Sequence, residues 1–165
     1  MTQKRVTRYT FACESLISFQ TNVRLLGTLT QHNVRVIFLS GPLGAGKTTF
    51  AREWLRTIGV TGAIKSPSYS MIETYQDTDI GVVHHLDLYR INSNDEIRCL
   101  GLEEYIEDHL VIEWPEKGID QIVKYDLSVD IQLDGDSRLI TLKTQCNTLA
   151  ERLTLFAEKV ENQRC

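Results

Sequence analysis

Eight residues, Gly41-Pro42-Leu43-Gly44-Ala45-Gly46-Lys47-Thr48, fit the pattern G-x-x-x-x-G-K-[ST], and they come just after an apolar β-type run at residues 34–39. Strand, glycine-rich turn and helix in that order make an anion cradle. Glycine permits the turn that aims successive backbone N–H groups at phosphate oxygens, at the positive end of the helix that follows. Lys47 supplies a point charge for the β- and γ-phosphates, and the Thr48 hydroxyl suits the Mg²⁺ that bridges them. Gly44, Ala45, Gly46, Lys47, Thr48 and Thr49 are thus the expected phosphate-binding residues, and the expected ligand is a nucleoside triphosphate with Mg²⁺. Pro42 has no N–H to offer, so its neighbours must form the cradle.

Binding phosphate is not hydrolysis, which also needs a carboxylate near the metal and a group that holds water. Two segments offer acids. In Val82-Val83-His84-His85-Leu86-Asp87-Leu88-Tyr89-Arg90, strand alternation puts His85, Asp87 and Tyr89 on one face and turns His84 away, which argues against a paired His84/His85 metal site. Asp87 falls near the carboxyl end, where a nucleotide would lie; an ordinary strand-end turn is the bland alternative. In Leu110-Val111-Ile112-Glu113-Trp114-Pro115-Glu116 an apolar strand ends in an acid, and Glu113 is the better metal candidate. Trp114 has two readings, stacking or gating at the nucleotide and plain core packing. Ser66-Pro67-Ser68-Tyr69 places two hydroxyls in a Pro-fixed loop, read either as a switch that answers to the γ-phosphate or as a simple connection.

The elements that must position these groups follow from periodicity. Residues 6–11 alternate as a short strand, and Leu16, Phe19, Val23 and Leu26 recur at helical spacing to about Thr30. A helix over 48–58 carries Phe50, Ala51, Leu55 and Ile58 toward a sheet. Strands are predicted over 69–75 and 81–88, a helix weakened by Gly101 over 94–106, and a strand buried on both faces at 110–112. Residues 126–134 and 137–143 form a hairpin with Asp-Gly at its turn, and Thr148-Leu149-Ala150-Glu151 matches a capping box that opens a closing helix. The sum is an α/β fold of the P-loop NTPase type, three layers deep, whose mixed sheet has a parallel core and an added antiparallel hairpin.

A chain of 165 residues suits one such domain, and no linker or repeat divides it. The formal charge of −4, without a Lys/Arg cluster, argues against a protein whose affinity comes from nucleic-acid phosphates, so any such role would run through a partner. The polar N-terminus and the lack of a long apolar run point to a soluble, cytoplasmic protein with no membrane association. Cys13, Cys99, Cys146 and Cys165 are too dispersed for a disulfide framework or a zinc site.

With these residues in view, the chain resembles the bacterial TsaE family, also called YjeE. The resemblance rests on the phosphate loop, Ser66-Pro67-Ser68-Tyr69, His85-Leu86-Asp87-Leu88-Tyr89-Arg90, Gly101-Leu102-Glu103-Glu104-Tyr105 and Glu113-Trp114-Pro115-Glu116, in the family's order and spacing, over roughly residues 11–142. It implies that Thr48 and Glu113 hold Mg²⁺, that Asp87 supports hydrolysis alongside Glu113 and Lys47, and that Trp114 belongs to the nucleotide-responsive site. It also implies ATP contacts at Ser15 and Arg138. Ser68 departs from the family's usual Thr, and Pro42 from a common acidic residue. The implied role is that of an ATPase acting with the TsaD and TsaB proteins in threonylcarbamoylation of the adenosine next to the anticodon of tRNAs reading ANN codons, touching tRNA only through that complex. Two other readings stay open: a small-molecule kinase, disfavoured because residues 96–115 hold only Arg98 for a phosphoryl-clamping lid, and a binding switch with incidental hydrolysis.

Overall fold

Two hydrophobic layers sandwich one mixed sheet. The structure is a computed structural model describing residues 6–162, so residues 1–5 of the polar N-terminus and Cys165 lie outside the described residues. Seven strands, β1 (Thr7–Cys13), β2 (Val36–Ser40), β3 (Ile72–Tyr75), β4 (Val83–Asp87), β5 (His109–Glu113), β6 (Leu127–Asp134) and β7 (Ser137–Thr144), lie in the order β1-β7-β6-β2-β5-β4-β3. The run β6-β2-β5-β4 is parallel, while β1, β7 and β3 pair antiparallel. The predicted parallel core with an added hairpin is therefore present, and β1 extends the hairpin side by pairing with β7 along its whole length.

The central strands are apolar on both faces, as a covered parallel sheet requires. Ile37, Leu39 and Val111 join the core beneath helices α1 (Leu16–Thr30), α2 (Lys47–Thr57) and α4 (Asn147–Asn162), whereas Val36, Phe38, Leu110 and Ile112 face a second cluster with Ile97, Leu102 and Ile119. Odd-numbered positions of β2, β4 and β5 thus look toward α2. Because β4 and β5 end in odd-numbered acids, Asp87 and Glu113 emerge on the side where α2 begins.

Local signals shift some boundaries. The helix predicted over 94–106 is only α3 (Asn94–Arg98), since Gly101 takes the left-handed conformation (φ 64°) and the chain resumes as a 3₁₀ turn at Leu102–Glu104. Strand β3 begins at Ile72 and not at 69, because Pro67 to Ser70 form a turn closed by Met71 N–H donating to the Pro67 carbonyl at 2.6 Å. Asp134 still pairs with Ser137, so the hairpin turn is Gly135-Asp136, with Gly135 at φ 57°. Helix α4 starts at Asn147, which puts Thr148 inside its first turn and removes the expected capping box. Among the described residues no helix is long and apolar enough to cross a membrane.

Candidate functional site

The loop after β2 wraps the first turn of α2. Gly41, Gly44 and Gly46 have φ of 137°, 79° and 112°, values that only glycine adopts without strain. A cleft of about 320 Å³ opens above this turn, lined by Gly44, Gly46, Lys47, Thr48, Thr49, Ser66, Ser68, Asp87, Tyr89, Glu113 and Trp114, with Leu43 at its rim. The loop, both acids, the two serine hydroxyls and Trp114 therefore meet in one place, at the carboxyl ends of β2, β4 and β5.

Lys47 is buried, and its Nζ donates to the carbonyl oxygens of Gly41 (2.7 Å) and Pro42 (2.9 Å). The ammonium also lies 3.8 Å from the centroid of the Trp114 ring. Burial lowers its pKa, against the opposing pull of Glu113, Glu116 and Asp87. Trp114 reaches this position because its own backbone is left-handed (φ 60°), an uncommon geometry for a bulky residue, just before Pro115. Its ring also tilts against Tyr89 at 5.1 Å.

Thr48 Oγ1 donates to Glu113 Oε2 at 3.0 Å, and Glu113 Oε1 is 2.8 Å from His85 Nε2. Glu113 is 2% exposed and His85 fully buried. His84 points the other way, held by Thr74 and Asp108, as alternation requires. Asp87 is the register partner of Glu113 on the neighbouring strand, and its Oδ1 accepts from Tyr89 N–H at 3.0 Å. Burial raises the Asp87 pKa, with Glu113 adding to the rise and the Tyr89 N–H resisting it. Among the described residues there is no cluster of three or more His, Cys, Asp or Glu side chains suited to a metal. Two hard oxygens, Thr48 Oγ1 and Glu113 Oε2, stand side by side in the cleft, a pair that could hold Mg²⁺ if phosphate and water supplied the other ligands.

Of the remaining residues, Arg138 and Ser15 lie toward the hairpin side and Arg90 beyond β4 on the other. Arg138 Nε donates to the Ala45 carbonyl at 2.9 Å, and its guanidinium lies 5.6 Å from the Phe19 ring of α1. Ser15 caps α1 through reciprocal bonds with Ser18 and lines a different cleft, with Glu14, Ile17 and Thr21. Arg90 stacks 4.3 Å above the exposed Tyr69 ring. The contact that sequence reasoning missed is His85 with Glu113. Alternation gave His85 the same face as Asp87, but only the β4–β5 register aims it at Glu113.

A glycine-rich loop between a central parallel strand and a helix, with strand-end acids beside it, defines a P-loop-type α/β protein. The chain belongs to the TsaE family: the family model described as threonylcarbamoyl adenosine biosynthesis protein TsaE matches residues 16–140. The tRNA threonylcarbamoyladenosine biosynthesis protein TsaE of Haemophilus influenzae is 38% identical over 124 residues, covering 74% of this chain and 78% of that protein. Its namesake in Rickettsia felis is 34% identical over 142 residues, covering 78% and 80%. The crystal structure of Bacillus subtilis YdiB superposes with a TM-score of 0.70 at 23% identity, over 99% of this chain and all of that one, a likeness of fold.

Proposed function

We propose that this chain is a single ATP-binding unit that hydrolyses ATP with Mg²⁺, and that it serves tRNA threonylcarbamoyladenosine synthesis together with TsaD and TsaB in the cytoplasm. One observation carries the reading: the Thr48–Glu113 hydrogen bond sits in the same cleft as the phosphate loop and Asp87. Gly44, Ala45, Gly46 and Thr49 would present backbone N–H groups to the phosphates, and Lys47 would exchange its carbonyl partners for phosphate oxygens. Thr48 and Glu113 would hold the metal, which when bound offsets phosphate charge. Asp87, whose pKa is raised by burial at the cleft wall, would accept a proton from water or orient it. Trp114 covers the lysine; Arg138, bonded to the loop at Ala45, is assigned to the rest of the nucleotide, and Ser15, which lines a separate cleft, has that assignment from the family resemblance alone.

Among the described residues no arginine lines the cleft. Arg90, the nearest internal candidate, rests on Tyr69, so the charge that accelerates phosphoryl transfer would come from a partner or from a partner-ordered loop. The expected result is that the purified chain binds ATP, turns it over slowly, and is accelerated well above tenfold by the TsaD–TsaB pair. Fast turnover unchanged by those partners would refute the partner-dependent reading. Contact with tRNA is assigned to the complex, since the chain is acidic overall.

A further inference from the structure

His85 has no place in the reading above, yet its imidazole is fully buried and, among the described residues, spends its one hydrogen bond on Glu113, at 2.8 Å. Among the described residues its Nδ1 has no partner. That pairing fixes the tautomer: with the proton on Nε2 the ring donates to the carboxylate and leaves only a lone pair unpaired, whereas a proton on Nδ1 would strand a buried donor. His84, its neighbour, bonds to Thr74 and Asp108 and lies edge-on to Tyr105, so it fastens β4 to the elements around it. His85 makes no such tie. An apolar side chain could fill its place with one loss, the donor to Glu113 Oε1.

We propose that His85 is a positioning residue that locks the Glu113 carboxylate so that Oε2 stays beside Thr48 Oγ1, where the metal is to be held. The proposal rests on the assignment of Glu113 and Thr48 to the metal. Without the Nε2–H donor, Glu113 would keep a buried, unpaired Oε1, and its side chain would be free to rotate away from Thr48. Carboxylates that ligate metals are commonly held in this way, and removing the outer partner typically weakens metal binding about 10–100-fold.

The test uses the purified full chain with ADP, and Mn²⁺ as the probe, with bound ion followed by electron paramagnetic resonance. His85→Leu is expected to weaken Mn²⁺ binding about 10–100-fold, with ADP affinity in EDTA unchanged. His85→Gln, whose amide nitrogen stands where Nε2 stood, is expected to restore Mn²⁺ affinity to within a few-fold. In a Glu113→Ala background, His85→Leu is expected to add no further loss. If Glu113→Ala weakens Mn²⁺ and His85→Leu does not, the positioning role falls while the metal assignment stands. If Glu113→Ala itself changes nothing, the metal assignment falls and takes this inference with it. Should His85→Leu fail to fold, His85→Gln and His85→Asn decide the matter, because Asn puts its amide where Nδ1 was. Equal Mn²⁺ affinities for those two would overturn the proposal.

Discussion

Replacing Asp87 by Asn should make the nucleotide-free protein more stable near neutral pH while impairing hydrolysis. Asp87 and Glu113 are register partners on adjacent parallel strands, both buried and both on the α2 side. Two charges at a strand spacing of about 5 Å repel by roughly 3 kcal/mol at an effective dielectric of about 20, and by under about 1 kcal/mol in water. Desolvation of the buried carboxylate is the leading cost and this repulsion adds to it, while the Tyr89 N–H, His85 and Lys47 offset part of the sum; about 1 kcal/mol is the expected gain, or about 2–4 °C in melting temperature for a chain of this size. Asn keeps an oxygen for the Tyr89 N–H, so the local turn survives. The pH dependence follows from the raised pKa of Asp87. The native state holds this proton more tightly than the unfolded state, so wild-type stability declines as pH rises from the ordinary value of 3.8 through the native pKa, and stays lower above it. The non-titrating Asn escapes that decline. Thermal unfolding by circular dichroism in EDTA, from pH 3.5 to pH 8, should therefore show a gap in favour of Asp87→Asn that closes on acidification. A variant that melts below wild type at pH 7.5, or a gap that does not vary with pH, would refute the reasoning.

Two further outcomes follow from the loop. Lys47→Met keeps the buried stem against Trp114 but removes the ammonium, and it should weaken ATP binding on the order of 10²–10³-fold, since a charge pair at 4 Å contributes about 4 kcal/mol at an effective dielectric of 20. Trp114 fluorescence reads this in a Trp54→Phe background, where the buried Trp54 no longer contributes, and unchanged affinity would refute the role of Lys47. Gly41→Ala should cost about 2–4 kcal/mol in urea denaturation, because its Cβ would collide with the Ile131 carbonyl of β6 at a φ of 137°, while Gly44→Ala, with open space around it, should cost only about 1–2 kcal/mol of backbone strain. Equal denaturation midpoints for the two variants would count against that collision.

What the sequence made legible is what local chemistry encodes. The phosphate loop is contiguous, and alternation along single strands gave the faces of His84, His85 and Asp87 and the emergence of Glu113 at a strand end. Less legible was anything set by register between strands. That Asp87 and Glu113 stand level, and that His85 reaches Glu113 across the pair, depends on how β4 slides against β5, which no short-range pattern specifies. The burial of Lys47 was hidden for a similar reason: an ammonium reads as solvated until a left-handed Trp114 folds its ring over it. The broken helix after Arg98 was foreshadowed by Gly101, whose positive φ ends it. Thr148 misled because a capping box is defined by spacing alone, and the helix began one residue earlier.

The charge inventory of the cleft explains why these parts belong together. Among the described residues that line it, the one ammonium, Lys47, meets two carboxylates, Asp87 and Glu113, with Glu116 outside the cleft also acting on that ammonium, beside a helix N-terminus and loop suited to anions. On the proposed reading, a triphosphate alone would add negative charge to that excess, whereas one carrying a divalent cation would set positive charge against Glu113, with the Thr48 hydroxyl beside it. The switch-like loop is tied into the same arrangement, because the Asp87 N–H donates to the Met71 carbonyl at 3.0 Å, and Met71 in turn closes the turn that begins at Pro67. Ser66 and Ser68 line the cleft at the start of that turn, the Ser66 hydroxyl donating to that of Ser68 at 3.4 Å, while the turn's far end is fixed to the strand carrying Asp87. On the proposed reading, contact between those serines and a bound phosphate would bear on the backbone of Asp87 through the Met71 hydrogen bonds, and would so couple the occupancy of the cleft to the acid proposed to act on water.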